Sequence, residues 1–317
     1  MFALRGIAVS LTFFVLLYCL LSALVAVAWR SLKLLRTTER SLAGLLFALR
    51  VLPLMASVVI TFAFVVPSFQ LLEPRSINSD EGIGVMPLAL GVCALLLIAY
   101  GCFRVITAQT RTSRVVARWL EGAPPLNVGA GVHTVTSYSR REAPPLILVG
   151  VRRPRVLVSE STVELLSHDE LCIALKHELA HVRSRDNLKK LVFRFCPFPG
   201  MGRLESAWSQ AAELAADDAA VSNLDDAIDL AAALVKLCRL VPVDAAPVCT
   251  VGFVTGSISV RVARLLAWNE SGGGKAHHIL IRSWYVIPPV LAAFFLVLVS
   301  YGPSLALTHK VTEWLVR

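Results

Sequence analysis

The sequence predicts a predominantly α-helical membrane protein: four transmembrane helices, with a mixed α+β domain outside the bilayer between the third and the fourth. Three observations carry this. The chain of 317 residues is 56% hydrophobic and 17% charged, with a mean hydropathy of +0.67, outside the range of a water-soluble domain. Four uncharged runs, at 7–29, 51–72, 82–103 and 283–308, are each long enough to cross a hydrocarbon core, which takes roughly 20 apolar residues. Between the third and fourth lies a stretch long and polar enough to build its own core.

The first run resembles a secretory leader, since Ala26, Val27 and Ala28 imitate a small-residue cleavage site. Its single preceding charge, its length and the basic cluster behind it identify a retained span. Arg30, Lys33, Arg36, Arg40 and Arg50 crowd the first connection, whereas the second carries Arg75 among three acids. The excess of cations marks the first connection as cytoplasmic. Three crossings then place Arg104 to Arg282 in the cytoplasm, with Arg104, Arg111, Arg114 and Arg118 in agreement. The expected division is a three-span membrane domain at 1–110, a cytoplasmic domain at 111–282, and a fourth span with a short exported tail at 283–317.

The formal charge of +9 is concentrated at span ends, where topology and anionic lipid account for it, so no nucleic-acid partner is expected. Seven cysteines occur without a C-x-x-C, which argues against a disulfide framework and a cysteine zinc site.

Within the cytoplasmic part, Pro124-Pro125 and Pro144-Pro145 mark turns. Runs rich in β-branched residues at 133–138, 146–149 and 155–158 predict a small sheet or hairpin. Ser167 followed by Glu170 fits a capping box that opens a helix to about Arg185. Further helices are expected at 202–223, alanine-rich, at 225–240, and, basic, at 259–269. Gly272 to Lys275 reads as a flexible link into the last span.

The run ALKHELAHVRSRD falls on the capped helix. Residues four apart share a helix face, so His177 and His181 can present ring nitrogens to one tetrahedral ion. Glu178, about 100° around the helix, can reach a water on that ion without ligating it. This is the arrangement of metal-assisted hydrolysis, in which the ion acidifies the water and the carboxylate moves its proton. A catalytic zinc takes three protein ligands. Glu205, Glu213, Asp217 and Asp218, all on the alanine-rich helix, are the candidates for the third. Glu213 and Asp217 share a face, so one can ligate while the other orients an imidazole.

HELAHVRSRDNL, followed by AAELAADDAAV and set between three spans and one, resembles the integral-membrane zinc peptidases of the MecR/BlaR (antirepressor) type. LVGVRRPRVLVS is similar to the stretch ahead of that family's zinc helix. The resemblance covers about Leu146 to Val221 and implies a zincin-like HExxH metallopeptidase domain. It implies one zinc ion on His177, His181 and Glu213, with Glu178 as catalytic base. Asp217 and Asp186 match the family's outer acids. Ala216 stands where the family commonly has a cysteine, a matter of packing.

Receptor members of that family continue into an exported penicillin-binding sensor, and no Ser-x-x-Lys occurs in this chain. A signal is then expected through the exported loop, the spans or a separate sensor or repressor protein. The activity expected is a zinc endopeptidase in the bacterial inner membrane, cutting a protein substrate on the cytoplasmic side. A regulator in signal transduction is one candidate substrate. An extended peptide is expected to join the sheet at a strand edge near Val156 and Val158. Two alternatives stand beside this: a quality-control peptidase of the HtpX or CAAX-prenyl type, and a non-catalytic zinc-binding transducer. The first usually places further spans between zinc helix and glutamate, for which LVFRFCPFPGMG is too short. Arg203 and His277 are candidates for stabilising the oxyanion.

Overall fold

Three long apolar helices frame the molecule. A computed structural model describes residues 2–29, 38–73, 84–120, 135–138, 144–152, 154–240, 251–252, 258–268 and 300–316. Helix α1 spans Phe2–Ala28. Helix α2 (Glu39–Ile60) runs through one π-helical turn, Thr61–Val65, into α3 (Val66–Leu72), and α4 spans Val85–Leu120. All three rods are long and apolar enough to cross a membrane. Leu4, Ile7 and Leu20 of α1, Phe62, Leu71, and Leu96, Phe103 and Ile106 of α4 are each more than half exposed. Apolar surface on this scale is unfavourable against water and suits lipid. Inside the bundle, Phe14 and Val15 meet Ala94, with Leu54 and Val58 against them. The Thr12 hydroxyl donates to the Pro87 carbonyl at 3.0 Å.

Two helices extend beyond the expected spans, because their outer turns pack on protein rather than lipid. Helix α2 starts at Glu39, capped by Thr38, whose hydroxyl accepts from the Ser41 amide at 3.2 Å. Its first turns occupy what the basic pattern suggests is a connection. Arg50 is not a solvated charge there; it is 2% exposed. Its guanidinium bonds Glu205 at 2.9 Å and the carbonyls of Phe193 and Cys196. Helix α4 likewise continues past Phe103 to Leu120. Of the expected fourth span, 283–299 lies outside the described residues. A helix over Tyr301–Val316 overlaps its end and occupies most of the stretch expected as a tail.

The sheet contains β1 (Val135–Tyr138), β2 (Leu146–Val149), β3 (Arg155–Ser159) and β4 (Val251–Gly252), in the order β1-β3-β2-β4. β3 runs parallel to β1, with Val135 opposite Val156, and antiparallel to β2, with Leu148 opposite Val156. The expected substrate edge is thus corrected. Val156 and Val158 sit on an interior strand whose backbone is paired on both sides, and both side chains are buried.

Helices follow the sheet: α5 (Glu160–Leu165), α6 (His168–Ser184), α7 (Asp186–Phe195), α8 (Gly202–Ala220), α9 (Leu224–Cys238) and α10 (Ile258–Leu266), then α11 (Tyr301–Val316). Strand alternation divides the sheet's side chains between two cores. Leu146, Leu148, Val156 and Val158 pack with Leu171, Ile173 and Leu175 of α6 and Leu230, Leu234 and Leu237 of α9. Ile147, Val149 and Leu157 point the other way, against Val116 and Trp119 of the extended α4. A third core joins Ala43 and Leu46 of α2 to Phe193 of α7 and Leu204, Trp208 and Ala211 of α8. The segment between α6 and α8 holds the ten-residue α7, too short to cross a bilayer.

Candidate metal centre

The centre lies where α6 and α8 face each other. Ser167 and Glu170 form the expected capping box: the Ser167 hydroxyl accepts the Glu170 amide at 3.2 Å and Glu170 accepts the Ser167 amide at 2.8 Å. Lys236 of α9 also donates to Glu170, at 2.7 Å, which fixes the start of α6 against its neighbour. At the far end, Arg185 adopts the left-handed conformation with φ 54°. That costs roughly 1–2 kcal/mol for a residue with a Cβ, and it ends α6 so that α7 begins immediately with Asp186.

On α8, Ala211, Ala212, Ala216 and Ala220 are buried. Small side chains let the backbones of α2 and α6 come close. Ala216 is 3% exposed and serves packing.

His177, Glu178, His181, Glu213, Asp217 and Asp186 are all buried. The ligating atoms of His177, His181 and Glu213 lie within 4.8 Å of one another, an arrangement that could hold a metal ion. The two Nε2 atoms are 3.2 Å apart. Glu213 Oε2 is 3.6 Å from His177 Nε2, and Oε1 is 3.8 Å from His181 Nε2. Each imidazole turns its other nitrogen to an acid: His177 Nδ1 lies 3.0 Å from Asp217 Oδ1, and His181 Nδ1 lies 2.8 Å from Asp186 Oδ2. Such partners fix the tautomer and turn Nε2 toward the position an ion would take.

Asp186 is itself held. Lys189 donates to it at 3.0 Å, and the neighbouring Asn187 amide donates to the Leu148 and Gly150 carbonyls at 3.3 and 3.0 Å. The sheet thereby anchors the start of α7 and, through it, His181.

The charges reinforce this order. Burial would lower the histidines' proton affinity, but for His181 the bonds to Asp186 and Glu213 outweigh it and push it up to about 10. His177 is raised in the same way by Asp217 and Glu213. Burial would raise Glu213, yet the two imidazoles hold it well below the usual carboxylate range. For Glu178 burial wins and pushes it up, against the pull of His181 and His177. Neither Glu178 oxygen has a hydrogen-bond partner among the described residues. A buried polar group is normally satisfied, so two orphaned oxygens mark space intended for something else.

The donor set fits zinc: two imidazoles and one carboxylate are three ligands that zinc accepts while keeping a fourth position open. The same oxygen and nitrogen donors do not by themselves select among divalent transition metals.

Of the other acids considered, Glu205 is turned away to Arg50, and Asp218 pairs with Arg264 at 2.9 Å on the surface. Arg203 is exposed in the first turn of α8, roughly 15 Å along the axis from Glu213 at 1.5 Å per residue. It is therefore no oxyanion donor for this centre. His277 lies outside the described residues.

Arg261 is the residue sequence reasoning missed. Only 2% exposed, it donates from Nη1 to Glu213 Oε2 at 3.0 Å, and from Nε and Nη2 to Asp217 at 2.8 and 2.6 Å. The available signal was the spacing of Arg261 and Arg264 on one basic helix, matched by the acids at 213, 217 and 218 on another.

Compared with known proteins, the chain matches no family model and none of the curated proteins.

Proposed function

We propose that this chain is a membrane-bound zinc-dependent endopeptidase of the MecR/BlaR kind, cutting a protein substrate on the cytoplasmic side of a bacterial inner membrane. The observation that carries the reading is the union of His177, His181 and Glu213 within 4.8 Å, beside a buried Glu178 carboxylate with no partner among the described residues. The three apolar rods support the membrane setting, and Arg30, Lys33 and Arg36 between α1 and α2 support the cytoplasmic side.

A zinc ion on His177, His181 and Glu213 would supply a Lewis acid that polarises the scissile carbonyl and brings the pKa of a water toward ~7. The chain's own groups do the rest. Asp186 and Asp217 hold the two imidazoles as Nε2 ligands. Glu178, with raised proton affinity, takes the proton of the attacking water and passes it to the leaving amine. The burial of all six side chains strengthens each of these interactions. A fourth span over 283–308 and a regulator as substrate complete the proposal.

The test is a comparison of new amino termini in cells expressing wild type and Glu178→Gln, with zinc content measured on both purified chains. Termini that vanish with Glu178→Gln while zinc content holds support a peptidase. Identical termini from both chains overturn it and leave the non-catalytic transducer.

A further inference from the structure

We propose that Arg261 is a positioning residue for this centre, so that the site is complete only while α10 is docked on α9, from where Arg261 reaches across to α8. The inference rests on the zinc reading above and concerns how that site is held and controlled.

Nothing in the HExxH motif or the later acids calls for Arg261, and it arrives from a helix that begins 38 residues after α8 ends, 258 against 220. Among the described residues its planar guanidinium makes three directed bonds. Nε and Nη2 clamp both oxygens of Asp217, at 2.8 and 2.6 Å, while Nη1 takes Glu213 Oε2 at 3.0 Å. Asp217 Oδ1 also faces His177 Nδ1 at 3.0 Å. One rigid fork thus sets the orientation of a ligand carboxylate and of the acid that orients a ligand imidazole. Without it, Asp217 keeps only its contact with His177 among the described residues, and Glu213 loses the donor that holds Oε2.

Neutralising two buried acids is a second role a cation would have here, and lysine separates the two. A lysine keeps the charge but is a point donor that cannot bridge Asp217 and Glu213 in one plane. Helix α10 itself is secured by Leu265 in the main core and by Arg264 on Asp218 at 2.9 Å, a half-exposed pair. Movement that lifts α10 from α9 withdraws the guanidinium from Asp217 and Glu213 and loosens the centre. The device makes the metal site responsive to a segment outside the motif.

The experiment uses the purified full-length chain in detergent, with zinc affinity from competition against a chromogenic chelator and cobalt(II) absorption as a report of ligand geometry. Arg261→Lys and Arg261→Gln are each expected to weaken zinc binding about 10–100-fold, the range for partners behind a metal ligand, and to alter the cobalt bands. Arg264→Ala, which loosens the same helix through an exposed pair, should stay within about fivefold of wild type. Arg261→Lys with wild-type affinity and cobalt bands overturns the proposal, as does Arg261→Gln binding zinc more tightly than wild type. Should Arg261→Gln fail to fold, Arg261→Lys and Asp217→Asn carry the test, and Asp217→Asn is expected to weaken binding too. A wild-type chain that binds no zinc overturns the metal reading itself, and this inference with it.

Discussion

Replacing Asp186 tests how the imidazole of His181 is held. In the folded chain the Asp186 carboxylate serves two donors, His181 Nδ1 at 2.8 Å and Lys189 Nζ at 3.0 Å, and is 3% exposed. Asp186→Asn keeps the shape but leaves one acceptor oxygen for two donors and removes the negative charge. A hydrogen bond to a charged group contributes about 1.5–3 kcal/mol and a neutral one about 0.5–1.5, so the exchange costs about 1–1.5 kcal/mol at His181. That is about a tenfold loss of zinc affinity. Asp186→Ala removes the acceptor altogether and strands a buried N–H, raising the cost to about 3 kcal/mol, or roughly a hundredfold. The assay is a chelator competition titration on the purified full-length chain, with thermal unfolding as a check of folding. The expected order is wild type, Asn, Ala. If both variants bind zinc as the wild type does, Asp186 does not hold the ligand and the account of the α6–α7 turn is wrong.

Zinc should stabilise the folded chain by mass action: at free zinc about 1,000 times the dissociation constant the gain is about 4 kcal/mol, seen as a higher unfolding temperature that a chelator reverses. Arg50→Met should lower stability by about 2 kcal/mol, because it strips the donor from the Phe193 and Cys196 carbonyls. The cost stays below that of a wholly buried pair since the Glu205 side chain is 38% exposed; denaturant unfolding measures it. A Cβ at Gly101 would strike the Phe195 carbonyl. Gly101→Ala is therefore expected to force α4 and α7 apart at about 1–3 kcal/mol, whereas Gly44→Ala, with open space around it, should be neutral or slightly stabilising.

Much of the centre was legible before any coordinates. His177, Glu178 and His181 follow from four-residue spacing on a helix whose start is written in Ser167 and Glu170. Glu213 and Asp217 follow from the same spacing, with the family resemblance choosing between them. Asp186 came from the resemblance alone; its structural reason, the left-handed turn at Arg185, has no sequence signature because that conformation usually falls to glycine. Helix α7 was not anticipated, since its apolar and basic residues resemble a loop against the membrane until Phe193 is seen in the core between α2 and α8. The substrate edge at Val156 and Val158 failed for another reason. Strand propensity finds a strand but does not order it, and β1 closes from one side what β2 closes from the other.

By itself the sequence determined the apolar rods, the helical placement of the motif and the kind of chemistry its side chains can perform, because these depend on residues near one another along the chain. Tertiary structure alone decided that Arg50 is buried beneath α7, that β3 lies inside the sheet, and that Arg261 reaches across to Glu213 and Asp217. Each of these joins elements far apart in the chain, through backbone pairing for β3 and through hydrogen-bonded side chains for Arg50 and Arg261. Local periodicity carries no record of such a meeting.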